Sequence, residues 1–243
     1  MKLIILLVSM SIVSSFVSGQ TSEKTLTLAF SKDWKPYIYA DKQGKAAGID
    51  LILLKQVLQP LGYTLRNESL PEQRMAIRLE EGKVGVVLGA ALTTERLSHN
   101  YFSIPYRKET IVLGYKKSRH DAFCSATITE VLQDGKLVAL NKSGWFGERL
   151  SDQLLTQYAD NIVHAEGTQR RMQLLLLDRV DVVVGDINVL TAAAKDLGID
   201  DFAVSAIPVH QTNVHFMFGR EHVNAAFVEQ FNQVLATLIT SGN

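Results

Sequence analysis

"DLILLKQVLQPLGYTLRN", Asp50 to Asn67, changes its hydrophobic period part-way along. Leu51, Leu54, Leu58 and Leu61 recur at the spacing of one helical face, and Asp50 stands where a helix cap is expected. Pro60 and Gly62 supply the stop, and "YTLRN" then alternates as a strand does. A helix delivered directly into a strand is half of a βαβ unit. Upstream, "TLTLAF" (Thr25–Phe30) sets Leu26, Leu28 and Phe30 on one face of a strand. Downstream, "PEQRMAIRLEEG" reads as a short helix opened by Pro71, and "VGVVL" (Val84–Leu88) as a buried strand. The series βαβαβ favours parallel pairing with helices on both faces of the sheet.

A second series follows Asp134. "KLVAL", "NIVHA" and "VDVVVGD" read as strands, the last ending at Asp186. "GERLSDQLLTQY", "TQRRMQLLLL" and "INVLTAAAKDLG" read as the helices between and after them. "TIVLGYKKS" (Thr110–Ser118) lies between the two series as a strand-like crossover. "NVHFMFG", from Asn213, precedes an amphipathic helix carrying Phe227, Phe231, Val234 and Leu238. Two α/β series in one short chain predict two lobes, with the final segment returning to the first.

Composition narrows the function class. The 243 residues carry 25 basic and 25 acidic side chains, so no basic footprint of a nucleic-acid binder is present. "MKLIILLVSMSIVSSFVSG" (1–19) has Lys2, an apolar run from Leu3 to about Val13, and the small residues Val17 and Gly19 ahead of the expected cut. That run is short for a membrane span and fits a cleaved secretory signal peptide, which predicts a periplasmic protein. The single cysteine, Cys124, excludes an internal disulfide and reads as an inert buried thiol. The six histidines are scattered without metal-ligand spacing, and no Walker loop, dinucleotide glycine fingerprint or Gly-x-Ser-x-Gly elbow occurs, so neither metal nor cofactor is expected.

Three stretches, in order, carry a resemblance: "WKPYIYADKQGKAAGIDLILLKQVLQPLGY", "RLEEGKVGVVLGAALTTERLSHNYFSIPY" and "LLLLDRVDVVVGD". The chain resembles the family 3 extracellular solute-binding proteins of the amino-acid-binding type, the transporter substrate-binding domain. The resemblance implies an α/β fold of the periplasmic-binding-protein type II, two lobes joined by two crossover strands with a ligand cleft between them. It implies that residues 20–113 and 209–243 form one lobe and 114–208 the other. It further implies a monomer that captures a small molecule, an amino acid or organic acid, for an inner-membrane ABC importer or a sensor.

The residues suit that chemistry. A ligand carboxylate is matched by a planar guanidinium donating two parallel hydrogen bonds, and Arg96 stands where the family holds its carboxylate arginine. A ligand ammonium suits a carboxylate at a strand tip, and Asp186 ends "VDVVVGD"; it is equally placed to cap the helix that follows. Trp34, Tyr37 and Tyr39 follow the first strand, where the family sets an aromatic wall or where they pack as core. The resemblance adds Arg74 as a second anion contact, the alternative being a solvated helix charge. It also adds Ser143 with Gly144, in the second-lobe loop, as donors to the carboxylate, and Trp145 as a cleft or packing residue.

Two positions depart from the family pattern. Ala91 occupies the place of a hydroxyl, and Ser143-Gly144 that of a pair of threonines. A lost charge-assisted hydrogen bond costs about 1.5–3 kcal/mol. The ligand is therefore expected to be either a modified or larger acid, or an amino acid held by fewer direct bonds. An enzyme is the reading from another class: the same fold serves periplasmic dehydratases of the cyclohexadienyl type, for which His164, His210 or Glu166 would be the acid–base candidates. A stand-alone sensor module is the third.

Overall fold

The computed structural model describes residues 24–142, 144–147, 150 and 152–241. The expected signal peptide and Ser143 lie outside them.

The first strand, β1 (Lys24–Phe30), buries every residue from Leu26 onward. Three short strands follow, β2 (Asp33–Trp34), β3 (Ile38–Ala40) and β4 (Ala46–Ala47), as a small antiparallel sheet of their own. Helix α1 (Ile49–Leu58) buries Leu51, Leu54, Val57 and Leu58, and Gly62 closes the following turn in the left-handed conformation, as the Pro60/Gly62 stop predicts. Asp50 does not cap this helix. Gly48 is the cap, at φ 134°, and the carbonyls of Pro36 and Tyr37 accept the N–H groups of Ile49 and Asp50 at 3.0 and 3.1 Å. A Cβ on Gly48 would sit 2.1 Å from the Tyr37 carbonyl oxygen, so only glycine fits this approach. With the helix start satisfied by backbone, the Asp50 carboxylate is free for another use.

The chain continues through β5 (Tyr63–Ser69), α2 (Glu72–Glu80), β6 (Val86–Ala91), α3 (Thr94–His99), β7 (Asn100–Phe102) and β8 (Arg107–Tyr115). Strand β6 runs three residues past the predicted end at Leu88, because Ala90 and Ala91 pair with His215 and Val214. Then come α4 (His120–Phe123), α5 (Ile128–Gln133), β9 (Val138–Leu140), α6 (Asp152–Gln157), β10 (Ile162–His164), α7 (Thr168–Leu176), β11 (Val182–Asp186), α8 (Ile187–Asp196), β12 (Ala203–Val204), β13 (His210–Gly219) and α9 (Ala225–Ser241).

These strands form one mixed sheet in the order β10-β9-β11-β8-β13-β6-β1-β5, with β12 on β8 and β7 on β13. The outer strands of each half pair in parallel, β1 with β5 and β6, β9 with β10 and β11, as the alternation of strand and helix requires. The two central strands run antiparallel: β8 pairs with β11 through Ile111–Gly114 and with β13 through Arg107–Ile111. Strand β13 likewise divides its pairing, His210–Val214 on β8 and Val214–Phe218 on β6. Both crossovers are thus single strands shared by two half-sheets.

The apolar cores follow the same division. One gathers residues between Leu26 and Leu88 together with Phe216, Phe218, Val223, Phe227, Phe231 and Leu235. On the other side of the crossovers, two clusters cover opposite faces of the β11 region. One includes Val182, Val184 and Leu140; the other includes Val183, Met172 and Leu190. Two lobes result, with the chain's last helix packed in the first.

Candidate functional site

The charged cluster of the first lobe is assembled from the first turn of α1, the β2–β3 segment, β6 and the start of the crossover strand β8. Arg107, the first residue of β8, donates from Nε to Oδ2 of Asp50 at 3.0 Å, and the Tyr106 hydroxyl donates to the same oxygen at 2.6 Å. The Gly89 amide donates to the Tyr106 hydroxyl at 2.9 Å, and the Tyr106 ring stacks on Phe216. The ion pair is deep: the Asp50 side chain is 3% exposed and that of Arg107 13%. Burial raises the Asp50 carboxyl above its usual range, with Arg107 and Tyr106 pulling it back. The Arg107 guanidinium carbon lies 3.5 Å from the centroid of the Tyr37 ring, with Trp34 at 5.5 Å and Tyr106 at 5.7 Å. Its Nη1 and Nη2 are buried and find no hydrogen-bond partner among the described residues.

Glu109, two residues along β8, is 7% exposed. Burial, with Asp186 and Asp50 nearby, pushes its carboxyl up from 4.5 to about 7, against the pull of Arg107 and Arg96. An acid whose folded pKa is raised holds its proton more tightly when folded. Its contribution to stability is full below pH 4.5 and is lost as pH rises through about 7. Denaturant titrations between pH 5 and 8 are expected to show wild type losing on the order of 3 kcal/mol relative to Glu109→Gln. Parallel pH profiles for the two proteins would remove Glu109 as the titrating group.

The residues expected from sequence divide into those near this cluster and those apart from it. Trp34 and Tyr37 meet edge to face at 5.9 Å, and both flank Arg107, so they pack against a cation supplied by the protein itself. Arg96 lies on α3, whose N-cap Thr93 accepts the Arg96 amide. Its Nη1 donates to the Ala91 carbonyl at 3.1 Å. The side chain is half-buried, and burial lowers its pKa despite the nearby carboxylates of Glu95 and Glu109. Neither of these forms an ion pair with it, so the half-buried guanidinium keeps donors to spare.

Asp186 ends β11 and caps α8, its Oδ1 accepting the amides of Asn188 at 2.9 Å and Val189 at 3.1 Å. Its Oδ2 accepts the Thr110 amide at 3.3 Å, which brings the tip of β11 against β8 beside Glu109. Arg74 stands exposed on α2. Trp145 is half-buried and meets His210 edge to face at 4.7 Å. His164 and Glu166 are exposed, Glu166 accepting the Gln73 amide at 3.4 Å. Cys124 is half-buried where the sequence reading made it buried, because it sits at the rim of the core beyond α4.

The sequence reading passed over Arg107 and Glu109. Tyr106 does pack, yet its hydroxyl is an anchor of Asp50. The available signal was the placement of Arg107 and Glu109 at alternate positions in a run that otherwise pairs as a central strand, where charges are rare without partners.

The lobes touch. The Tyr37 hydroxyl accepts from Asn188 Nδ2 at 2.9 Å, the Gln169 amide donates to Asp33 Oδ2 at 3.0 Å, and Lys35 pairs with Asp196 at 2.9 Å. The last pair is exposed and contributes little. Among the described residues, no group of His, Cys, Asp or Glu is arranged to hold a metal ion. No helix among them is long and apolar enough to cross a membrane.

Comparison with known proteins agrees with this architecture. Among solved structures, a mutant of ArgBP from T. maritima is 24% identical, with 91% of this chain and 92% of that one covered at a TM-score of 0.75. A histidine kinase sensor domain with similarity to periplasmic binding proteins is 19% identical, covering 90% and 92% at 0.77. The substrate-binding protein of an ABC uptake transporter from Streptococcus pneumoniae, solved with bound histidine, is 20% identical, covering 91% and 89% at 0.73. These likenesses establish the fold, the periplasmic-binding-protein type II. No curated protein matches the chain. The model of bacterial extracellular solute-binding proteins, family 3, matches residues 26–243, and the chain belongs to that family.

Proposed function

We propose that this protein is a non-catalytic periplasmic receptor for a small amino acid or related organic acid. The observation that carries the reading is Arg96: a half-buried guanidinium at the end of β6, bonded to the Ala91 carbonyl and to no carboxylate among the described residues. Such a group retains donors for an anionic ligand, and a carboxylate in a partly desolvated site gains more from it than in water. Solved relatives of the same fold were captured with arginine, glutamine or histidine, all bearing an α-carboxylate.

In this reading Asp186 meets the ligand ammonium with the capacity its capping bonds leave free, and Trp34 and Tyr37 wall the cleft. Ser143 supplies a donor to the ligand carboxylate and Trp145 lines the cleft. The lobes run from 20 to 113 with 209 to 243, and from 114 to 208. Residues 1–19 direct export. The Tyr37–Asn188 hydrogen bond joins the lobes, and a ligand touching both of them shifts the protein toward closure. The closed monomer then presents itself to an inner-membrane ABC importer. The solved histidine kinase sensor domain of this fold supports a sensor as a second kind of partner. His164 and Glu166 stand exposed, which favours binding over a dehydratase reaction.

A thermal-shift screen of amino acids and short organic acids tests this. A ligand at 100 times its Kd adds about 2.7 kcal/mol to stability, and Arg96→Ala is expected to abolish the shift for whichever anionic compound produces it. An undiminished shift in the variant sinks the Arg96 assignment.

A further inference from the structure

The Asp50 ion pair occupies only part of the Arg107 guanidinium. Of its five N–H donors, the one on Nε is taken by Asp50, and the four on Nη1 and Nη2 are buried without an acceptor among the described residues. Buried donors are costly to leave unmatched, and a buried guanidinium that is half-paired is a group arranged for a further acceptor.

Its position says where that acceptor would come from. A Cβ built on Gly89 would lie 2.9 Å from Arg107 Nη2 and 2.6 Å from the Trp34 ring, so the Nη edge abuts β6 at Gly89. Two residues further along β6, the Ala91 carbonyl holds Arg96. Two residues of strand span about 6–7 Å, the reach of a short acid with carboxylates at both ends.

The aromatic faces tell against the opposite charge. A cationic ligand side chain would seek the Tyr37 and Trp34 rings, and Arg107 already covers them at 3.5 and 5.5 Å. A second guanidinium or ammonium would have to displace a group tied to Asp50, or stand beside it and be repelled.

We propose that Arg107 is the specificity-determining residue of this receptor, its Nη edge receiving a second carboxylate so that the ligand is an acidic amino acid or a short dicarboxylate. This rests on the solute-receptor reading. It assigns the α-carboxylate to Arg96, the side-chain carboxylate to Arg107, and leaves no place for a cationic side chain.

Calorimetric titration of the purified protein with L-glutamate, L-aspartate, succinate, L-glutamine, L-arginine and L-lysine tests it. At least one acidic compound is expected to bind about 10-fold or more tighter than glutamine, arginine and lysine. Arg107→Gln alone would strand the buried Asp50 charge, so Asp50→Asn accompanies it. The paired variant is expected to lose about 10- to 100-fold in affinity for the acid, and far less for glutamine. Arginine or lysine binding as tightly as the acids overturns the proposal from wild type alone, whether or not the variant folds. So does a folded paired variant that keeps its acid affinity. Binding of glutamine that depends on Arg96 but is indifferent to Arg107 overturns this proposal and leaves the receptor reading standing. Binding of none of the six overturns the proposal as well.

Discussion

Asp50→Ala is expected to destabilise the protein by about 3–5 kcal/mol, the cost of leaving a buried charge without its partner. Arg107 would retain its charge behind the Tyr37 ring with nothing opposite, and the Tyr106 hydroxyl would lose its acceptor at the same stroke. The loss belongs to the broken pair rather than to any large net value of the intact one, because burying two charges costs nearly what their attraction returns. Replacing both partners by apolar groups, Asp50→Leu with Arg107→Met, is therefore expected to recover most of the loss. Urea denaturation of the two variants decides: a single variant within about 1 kcal/mol of wild type would show that water or rearrangement already compensates Arg107.

Phe231→Ala is expected to cost about 3–5 kcal/mol, by lost burial and by the cavity left behind. The ring is fully buried and meets Phe218 at 4.9 Å, Phe216 at 5.4 Å and Phe227 at 5.9 Å. These neighbours come from β13 and α9 themselves, so collapse around the hole would disturb the strand that links the lobes. Leu177→Ala serves as the control: Leu177 is 67% exposed, and its loss is expected to stay within about 0.5 kcal/mol. Equal midpoints for the two variants would mean that α9 is not anchored by this cluster.

Much of the fold could be read from periodicity. The helix at Leu51–Leu58, the strands "TLTLAF" and "VDVVVGD", and the final helix all appear where the apolar spacing puts them. Periodicity is blind to partners, however. It could not tell that β8 and β13 run antiparallel at the centre of an otherwise parallel sheet, nor that β6 extends to Ala91 by pairing with β13. The site was legible in its residue types and less so in its assignments. Asp186 does cap a helix, as its sequence context allowed, while Asp50 leaves the cap to Gly48 because backbone carbonyls from the Tyr37 loop arrive first. Arg107 looks like a solvated charge when read beside Lys108. Only tertiary contacts with Asp50, Tyr37 and Gly89, all distant in sequence, make it a buried one.

The shared crossovers also set an order of events. The core of the first lobe is begun by Leu26 and Leu28 and completed by Phe216, Phe218 and Phe231, whereas the second lobe draws its core from the continuous span between Ile111 and Val209. A ribosome delivers the chain from the N-terminus, so every part of the second lobe is made before the first can close. Until the last helix arrives, the opening strands have no complete surface on which to settle, and the chain stays unfinished while most of its length has already been synthesised.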